Sequence, residues 1–426
     1  MKRRAFIKTT SKGAALAAIG MSSGGLLSSC MNFKSLNNKI SAFIPLPIQV
    51  VIDDVGWWTG KDGEAENQPY RTGMNRNMVI ADFEAVAELG KSLGIRPQAA
   101  TILCEWDREN ILRDIPHCTW MGNKWDNRKN IGPWLEEAAD VFNNNKEHIE
   151  ISMHGLAHEW WIDGKMSRAE WAESGSGIMR PKEIVEMHIA AFAEIMRQNN
   201  LGDLPKSFVP TNFSHTFGKS EGRKVSMAQI LEEHGFTYIN TTFDYEFHNR
   251  KDVQYDLFGI DSGILTVDRG NDMLDWNTIS TKPKGIVNKS TAGMHWPNLL
   301  HEDPERNSEI VQGWVKVLAP YNENPDTMLA KNSVFFQKQL VHHVASKIEL
   351  KDNEINLDFS ETNNLGTIMV NDELTVKVIS NNELNFFSDD LKIVSVNSKK
   401  DDNSNLYTLD LRRGNLNKAS ITIKEI

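Results

Sequence analysis

Cysteine is scarce in this chain: three occur in 426 residues, and one of them, Cys30, closes the N-terminal leader. That excludes a disulfide scaffold, and no cysteine has the paired spacing of a thiolate zinc site. Cys104 and Cys118 either pair in an oxidising compartment or persist as two buried thiols, and sequence alone does not give the separation that would choose. Long apolar runs are also missing. The stretch 13–27 is rich in Gly, Ala and Ser and too weak for a permanent membrane span. Positive charge is in deficit, with 47 Lys and Arg against 57 Asp and Glu and a formal net charge of −10. With no basic stripe beyond the leader, this balance argues against nucleic acid as a partner. Trp, His and Cys are all absent after Ser346, so any chemistry that needs them belongs upstream.

The leader itself is informative. Lys2-Arg-Arg-Ala-Phe-Ile-Lys8 resembles a twin-arginine export signal, and Leu27-Ser-Ser-Cys30 resembles a lipobox with Cys30 as the lipidated residue. Residues 1–29 are expected as a signal peptide and 30–46 as a tether. The mature protein is then expected outside the cytoplasm, on the periplasmic or cell-surface side, held to the membrane by its N-terminal lipid. Removal of 1–29, with five positive charges and no acid, takes the formal charge from −10 to −15.

Between residues 47 and 346, short apolar runs alternate with amphipathic stretches. Strands are expected at 49–52, 98–103, 149–153, 207–209, 238–240, 264–267 and 291–294. Helices are expected at 81–93, 134–143, 182–198, 227–234, 305–318 and 332–347. This alternation predicts an α/β fold with parallel strands, a distorted (β/α) barrel whose site lies at the strand C-terminal ends. Two long irregular stretches, 56–77 and 105–133, carry too much aromatic residue for disorder and are expected to be functional loops. From 347 to 426 the pattern changes to apolar/polar alternation with Asn, Asp and Ser turns, which predicts a small all-β domain, a sheet or sandwich.

Two strand ends carry metal-ligand chemistry. The run Ile48-Gln-Val-Val-Ile-Asp-Asp54 ends in adjacent carboxylates, which need water, a proton or a cation to offset their repulsion. The run Ile149-Glu-Ile-Ser-Met-His154 is followed by a second histidine, His158. On a helical turn the two imidazoles would share a face and chelate one divalent metal. One Asp and two His around a metal, with the second Asp beside it, would satisfy both stretches; a solvated Asp-Asp turn and two ordinary histidines is the plainer alternative.

These residues resemble the polysaccharide deacetylases of the NodB-homology type, within the glycoside hydrolase/deacetylase barrel superfamily, over roughly residues 48 to 343. The resemblance implies Asp53 as catalytic base and Asp54, His154 and His158 as ligands of a divalent metal, zinc first, with cobalt, nickel or manganese also suited. It matches the family's later Asp-x-x-Asp-Trp motif to Asp272-Met-Leu-Asp-Trp276, with Asp275 beside the catalytic acid, and that acid to His295. The implied reaction is hydrolytic removal of acetyl groups from a carbohydrate, with water activated by Asp53 and the leaving group protonated by His295. Two features depart from the pattern: the first and second motifs lie about twice as far apart as the resemblance implies, and the family's Arg-x-Pro motif falls at Phe208-Val-Pro210, without the arginine, with His215 or Arg180 as the candidate replacement.

Several tryptophans flank the proposed catalytic residues: Trp57, Trp58, Trp160, Trp161, Trp276 and Trp296. Indole faces stack on sugars, so these and His215 are the candidate substrate contacts, with core packing as the alternative for many of them. Two other functions remain open at this level. One is glycoside cleavage by Asp53 with Asp272 or Asp275. The other is a non-catalytic glycan-binding lipoprotein with a degenerate site, which the missing arginine favours.

Overall fold

The computed structural model describes residues 40–174, 176–215, 218, 225–243, 257–283, 287–363, 365, 373–401 and 404–426. The signal peptide, Cys30 and residues 31–39 of the expected tether lie outside the described residues. In chain order the first strands are β1 (Ile40–Phe43), β2 (Leu46–Val55), β3 (Gln98–Ile102), β4 (Glu150–Gly155), and a hairpin of β5 (Trp160–Ile162) and β6 (Lys165–Ser167). Then come β7 (Ser207–Phe208), β8 (Tyr238–Thr241), β9 (Phe258–Asp261), β10 (Ile264–Asp268), β11 (Thr291–His295) and β12 (Thr327–Leu329). The helices are α1 (Ile80–Leu93), α2 (Trp134–Asn144), α3 (Lys182–Gln198), α4 (Met227–Glu233), α5 (Asn307–Leu318), the short α6 (Pro320–Glu323) and α7 (Ser333–Ala345).

The main sheet runs β11-β2-β3-β4-β7-β8-β10-β9, with β12 also on β2. Neighbours pair in parallel except the β9/β10 pair. Strand β2 is buried along its whole length, as expected of a strand covered on both faces. Its side chains alternate: Val50 and Ile52 enter the large core shared with the helices, whereas Val51 joins Ala100 and Val209 in a small cluster on the other face.

The sheet is strongly curled. Asn240 on β8 donates to Thr291 Oγ1 on β11 at 3.0 Å. Five strand steps separate β8 from β11 in the sheet, which in a flat sheet would put them on the order of 24 Å apart. Curling alone brings the two side chains together. The outer strands β9 and β11 do not pair with each other among the described residues, so the result is an open half-barrel rather than a closed one.

Local sequence explains the element ends. Helix α1 begins where the Asp82 carboxylate accepts the Val79 N–H at 2.8 Å, with Arg76 clasping the same carboxylate. It stops at Gly94, whose φ of +63° suits a residue without Cβ. The helix expected from 305 begins at Asn307, because Asp303 and Pro304 start a separate 3-10 turn. No described helix is long and apolar enough to cross a membrane.

The chain after α7 forms β13 (Lys347–Lys351), β14 (Glu354–Asp358), β15 (Glu373–Ser380), β16 (Leu384–Phe387), β17 (Lys392–Asp401), β18 (Ser404–Arg412) and β19 (Lys418–Glu425). Two four-stranded sheets, β1-β15-β18-β17 and β13-β14-β19-β16, enclose a core of their own. Here the tether expectation needs correction. Residues Ile40–Phe43 pair antiparallel with β15, and Ile40 and Ala42 enter the sandwich core. A four-residue strand is too short to show a period in sequence, and its partner lies over three hundred residues away. The sandwich is tied to the half-barrel by Lys377, whose Nζ donates to the carbonyls of Asn322, Asn324 and Thr327 at 2.7, 2.9 and 2.7 Å.

Candidate active site

Asp53 and Asp54 stand at the C-terminal end of β2, where the register against β3 shifts between Ile52 and Val55. Asp54 has φ +66°, a strained conformation for a residue with a side chain. That twist hands the two carboxylates to different neighbours. Asp54 Oδ1 lies 3.3 Å from His154 Nε2 and 3.7 Å from His158 Nε2, and its Oδ2 accepts the Tyr70 hydroxyl at 2.8 Å. His154 Nδ1 donates to the Val209 carbonyl at 2.6 Å, which orients the ring and leaves Nε2 facing Asp54.

The trio has the features of a cation site. One donor atom from each of the three residues lies within 4.8 Å of the others, and all three are buried. Asp54 Oδ1 accepts no hydrogen bond. Burial works to raise the Asp54 carboxyl, but His158 and then His154 outweigh it and hold the group well below the usual carboxylate range. Burial lowers the His158 imidazole to about 3 against the pull of Asp54, so it stays neutral and able to donate a lone pair. A carboxylate and a neutral imidazole converging with His154 can hold a metal ion.

Asp53 faces the other way. Its Oδ2 meets Arg269 Nη1 at 2.9 Å, and Arg269 Nη2 reaches Asp272 Oδ1 at 2.7 Å. Asp272 Oδ2 then lies 3.6 Å from His295 Nδ1. The approach is close enough that a Cβ on Gly293 would stand 2.2 Å from Asp272 Oδ1 and 2.4 Å from Arg269 Nη2 and would force that ion pair to shift. Burial is the dominant influence on Asp53 and leaves its carboxyl raised, although Arg269 and His154 pull it down. Two adjacent acids are thus driven in opposite directions, the pattern expected when one serves as a ligand and the other handles protons. Both groups open on one cleft of about 620 Å³, whose wall includes Tyr70, His154, His158, Asp272, Trp276 and His295.

No family model matches the chain, and no curated protein matches it. Among solved structures, it is similar to a family 4 carbohydrate esterase from Streptomyces lividans in complex with acetate, at 10% identity and a TM-score of 0.28, over 64% of this chain and 88% of that one. It is also similar to a putative polysaccharide deacetylase from Mycobacterium smegmatis (12%, TM-score 0.30, 56% and 70%). A third is a GH57-type branching enzyme from the hyperthermophilic archaeon Pyrococcus horikoshii (10%, TM-score 0.32, 70% and 64%). These likenesses are remote.

The structure brings Asp53, Asp54, His154, His158 and His295 to one place. It corrects other expectations. The His154–His158 segment is not a helical turn: His154 is the penultimate residue of β4, and His158 lies in the following bend with φ +57°. The carboxylate facing His295 is Asp272, not Asp275. Asp275 lines the cleft, and its backbone carbonyl accepts from Asn298 Nδ2 at 2.9 Å. The guanidinium that faces Asp53 comes from Arg269, directly after β10, and from neither His215 nor Arg180. Arg180 lies over the Trp160 ring at 4.3 Å, and His215 is buried outside the cleft wall. A strand-end rule applied to 264–267 would have flagged Arg269, since it follows that run by two residues.

Of the six tryptophans, only Trp276 lines the cleft. Trp57 packs edge-on to Tyr70, Trp58 stacks on Trp134 with centroids 4.7 Å apart, and Trp160 stacks on His117. Trp161 donates to Glu159 at 2.8 Å, and Trp296 lies in the core against Phe83. Position beside a candidate site residue in sequence did not translate into exposure to the cleft. Cys104 and Cys118 are both buried and unpaired. Tyr70 was also invisible in sequence: it comes from the long 56–77 loop, which carries no periodic signal.

Proposed function

We propose that this protein is a metal-dependent hydrolase that removes acetyl groups from a poly- or oligosaccharide. The observation that carries this reading is the division of labour at the end of β2. Asp54 is turned to two imidazoles, while Asp53 is turned to a guanidinium that links it to Asp272 and His295. A divalent cation held by Asp54, His154 and His158, zinc by donor type, would supply Lewis-acid polarisation of the acyl oxygen.

The remaining chemistry belongs to the chain. Asp53 is the base that takes the proton of the attacking water, and its raised carboxyl suits that task. Arg269 holds Asp53 and Asp272 in place. With Nδ1 of His295 turned to Asp272, its Nε2 is left to protonate the departing nitrogen or oxygen. Tyr70 fixes the carboxylate plane of Asp54. Carbohydrate as substrate class is supported by the resemblance of the motifs and by a polar wall, including Asn212 and Thr278, that suits sugar hydroxyls.

Glycoside cleavage is disfavoured by the same geometry. Asp53 and Asp272 are both held by the one guanidinium of Arg269, which occupies the space between them where a glycosidase's two carboxylates would flank the scissile bond. The degenerate-site reading loses its support once Arg269 supplies the guanidinium that faces Asp53. The deciding experiment is acetate release from a panel of N- and O-acetylated oligosaccharides, with and without added zinc. Release that requires the metal supports the proposal. Cleavage to shorter oligomers without acetate would replace it with glycoside hydrolysis.

His295→Ala is expected to keep the metal and lower the rate by about 10²–10⁴, the usual effect of a positioned acid. The loss should shrink for aryl acetates, whose leaving groups need little protonation. An equal loss on both substrate types would remove His295 from the proton-donor role. We further propose that the protein is exported and held to a membrane through lipid on Cys30. A Cys30→Ser variant should be released as soluble protein or stay unprocessed. Fractionation with membranes like the parent would end that proposal.

A further inference from the structure

His154 belongs to the end of β4, His158 to the bend that follows it, and a single buried carboxylate organises that bend. Glu170 accepts the backbone N–H of Leu156 at 3.1 Å, of Ala157 at 3.3 Å and of His158 at 3.1 Å. Its own N–H donates to Thr211 Oγ1 at 2.9 Å, which anchors it beyond β7. The next residue, Trp171, donates its indole N–H to the His154 carbonyl at 2.7 Å. The Glu170-Trp171 pair therefore grips both ends of the His154–His158 segment.

Two further observations show that the grip is built in. A Cβ on Gly155 would stand 2.3 Å from Glu170 Oε2, so any other residue there would displace the carboxylate from the backbone it holds. His188, on α3, places Nδ1 2.9 Å from Glu170 Oε1 and Nε2 3.1 Å from the Pro116 carbonyl. His188 thus bridges Glu170 to the Pro116 carbonyl and seats the carboxylate between α3 and the bend. Glu170 and His188 have side chains exposed by 0% and 1%.

We infer that Glu170, seated by His188 and Trp171, is the positioning residue that holds His158 in its left-handed conformation and so gives the metal trio its geometry before any ion binds. It rests on the metal-centre reading above. Three converging N–H groups satisfied by one anion fix the φ and ψ of residues 156 to 158, which an unsupported bend at His158 would not keep. In Glu170→Gln the three N–H groups, which all reach Oε2, meet a neutral amide oxygen in place of a carboxylate, a weaker acceptor, and the NH₂ faces His188, so the hold on the segment weakens although little volume changes.

The test uses the mature protein freed of metal, as parent, Glu170→Gln and Trp171→Phe. Three quantities are measured: zinc affinity by calorimetry, amide hydrogen exchange at 156–158, and kcat and KM across a zinc titration. Glu170→Gln is expected to bind zinc about 10–100-fold more weakly, the usual effect of losing a residue that orients metal ligands. Its amides at 156–158 should lose protection while those of β2 and β8 keep theirs. Saturating zinc should restore much of kcat with KM unmoved. Parent-like zinc affinity and amide protection in Glu170→Gln would overturn the inference, as would a uniform loss of protection across the fold. If the parent itself binds no zinc, the metal-centre reading falls, and amide exchange still decides whether Glu170 holds the segment. If Glu170→Gln does not fold, Trp171→Phe carries the test, with a smaller loss of zinc affinity expected and parent-like affinity overturning the shared grip.

Discussion

Asp53→Asn is expected to abolish turnover while leaving metal binding close to the parent. Asp53 is not one of the three converging ligands Asp54, His154 and His158, and its ion-pair partner is Arg269. An asparagine retains the shape and one oxygen for the guanidinium but cannot take a proton from water. The expected fall in kcat is about 10²–10⁴. Asp54→Asn provides the contrast: it exchanges an anionic ligand for a neutral one, so zinc affinity should drop and activity should fall with it. Metal content and acetate release measured side by side separate the two roles. An Asp53→Asn protein with full activity would sink the mechanism.

Arg269→Ala should have the largest effect on stability. The guanidinium is 1% exposed and is the cation facing Asp53, which is fully buried. Breaking such a pair by removing one partner costs about 3–5 kcal/mol, because a buried charge is left uncompensated. The loss has a defined pH dependence. Asp53 already has a raised carboxyl, and removal of Arg269 raises it further. An acid whose folded value exceeds its unfolded value takes up a proton on folding, so its contribution improves as pH falls. The deficit of Arg269→Ala should therefore be largest at neutral to alkaline pH and shrink in mild acid. Asp53→Asn in the same background should recover much of the loss. Urea unfolding at two pH values checks this, and a variant as stable as the parent at both would show that Arg269 is not the counter-ion of Asp53.

Sequence by itself determined a good deal. The regular elements of the half-barrel are short β-branched runs and amphipathic helices, whose periods are local properties. Strand β2 and helices α1, α2 and α3 accordingly appear within a residue or a few of their expected ends. The paired acids and paired histidines were legible for the same reason: each group sits at the end of a run that announces itself. The C-terminal sandwich was visible in its alternation.

What tertiary structure alone decided are relations between residues far apart in the chain. Strand β1 belongs to a sheet whose other members begin at Glu373. Arg269 serves a carboxylate on β2 because curling of the sheet brings the end of β10 towards it, and no local pattern encodes curl. The His154–His158 spacing suggested a helical turn, yet the imidazoles converge because Glu170 binds three successive N–H groups of the bend. Trp57, Trp58, Trp160, Trp161 and Trp296 flank functional residues in sequence but pack within the walls. Which side of a strand end faces the cleft is set by the register of its neighbours, and register is a property of the assembled sheet.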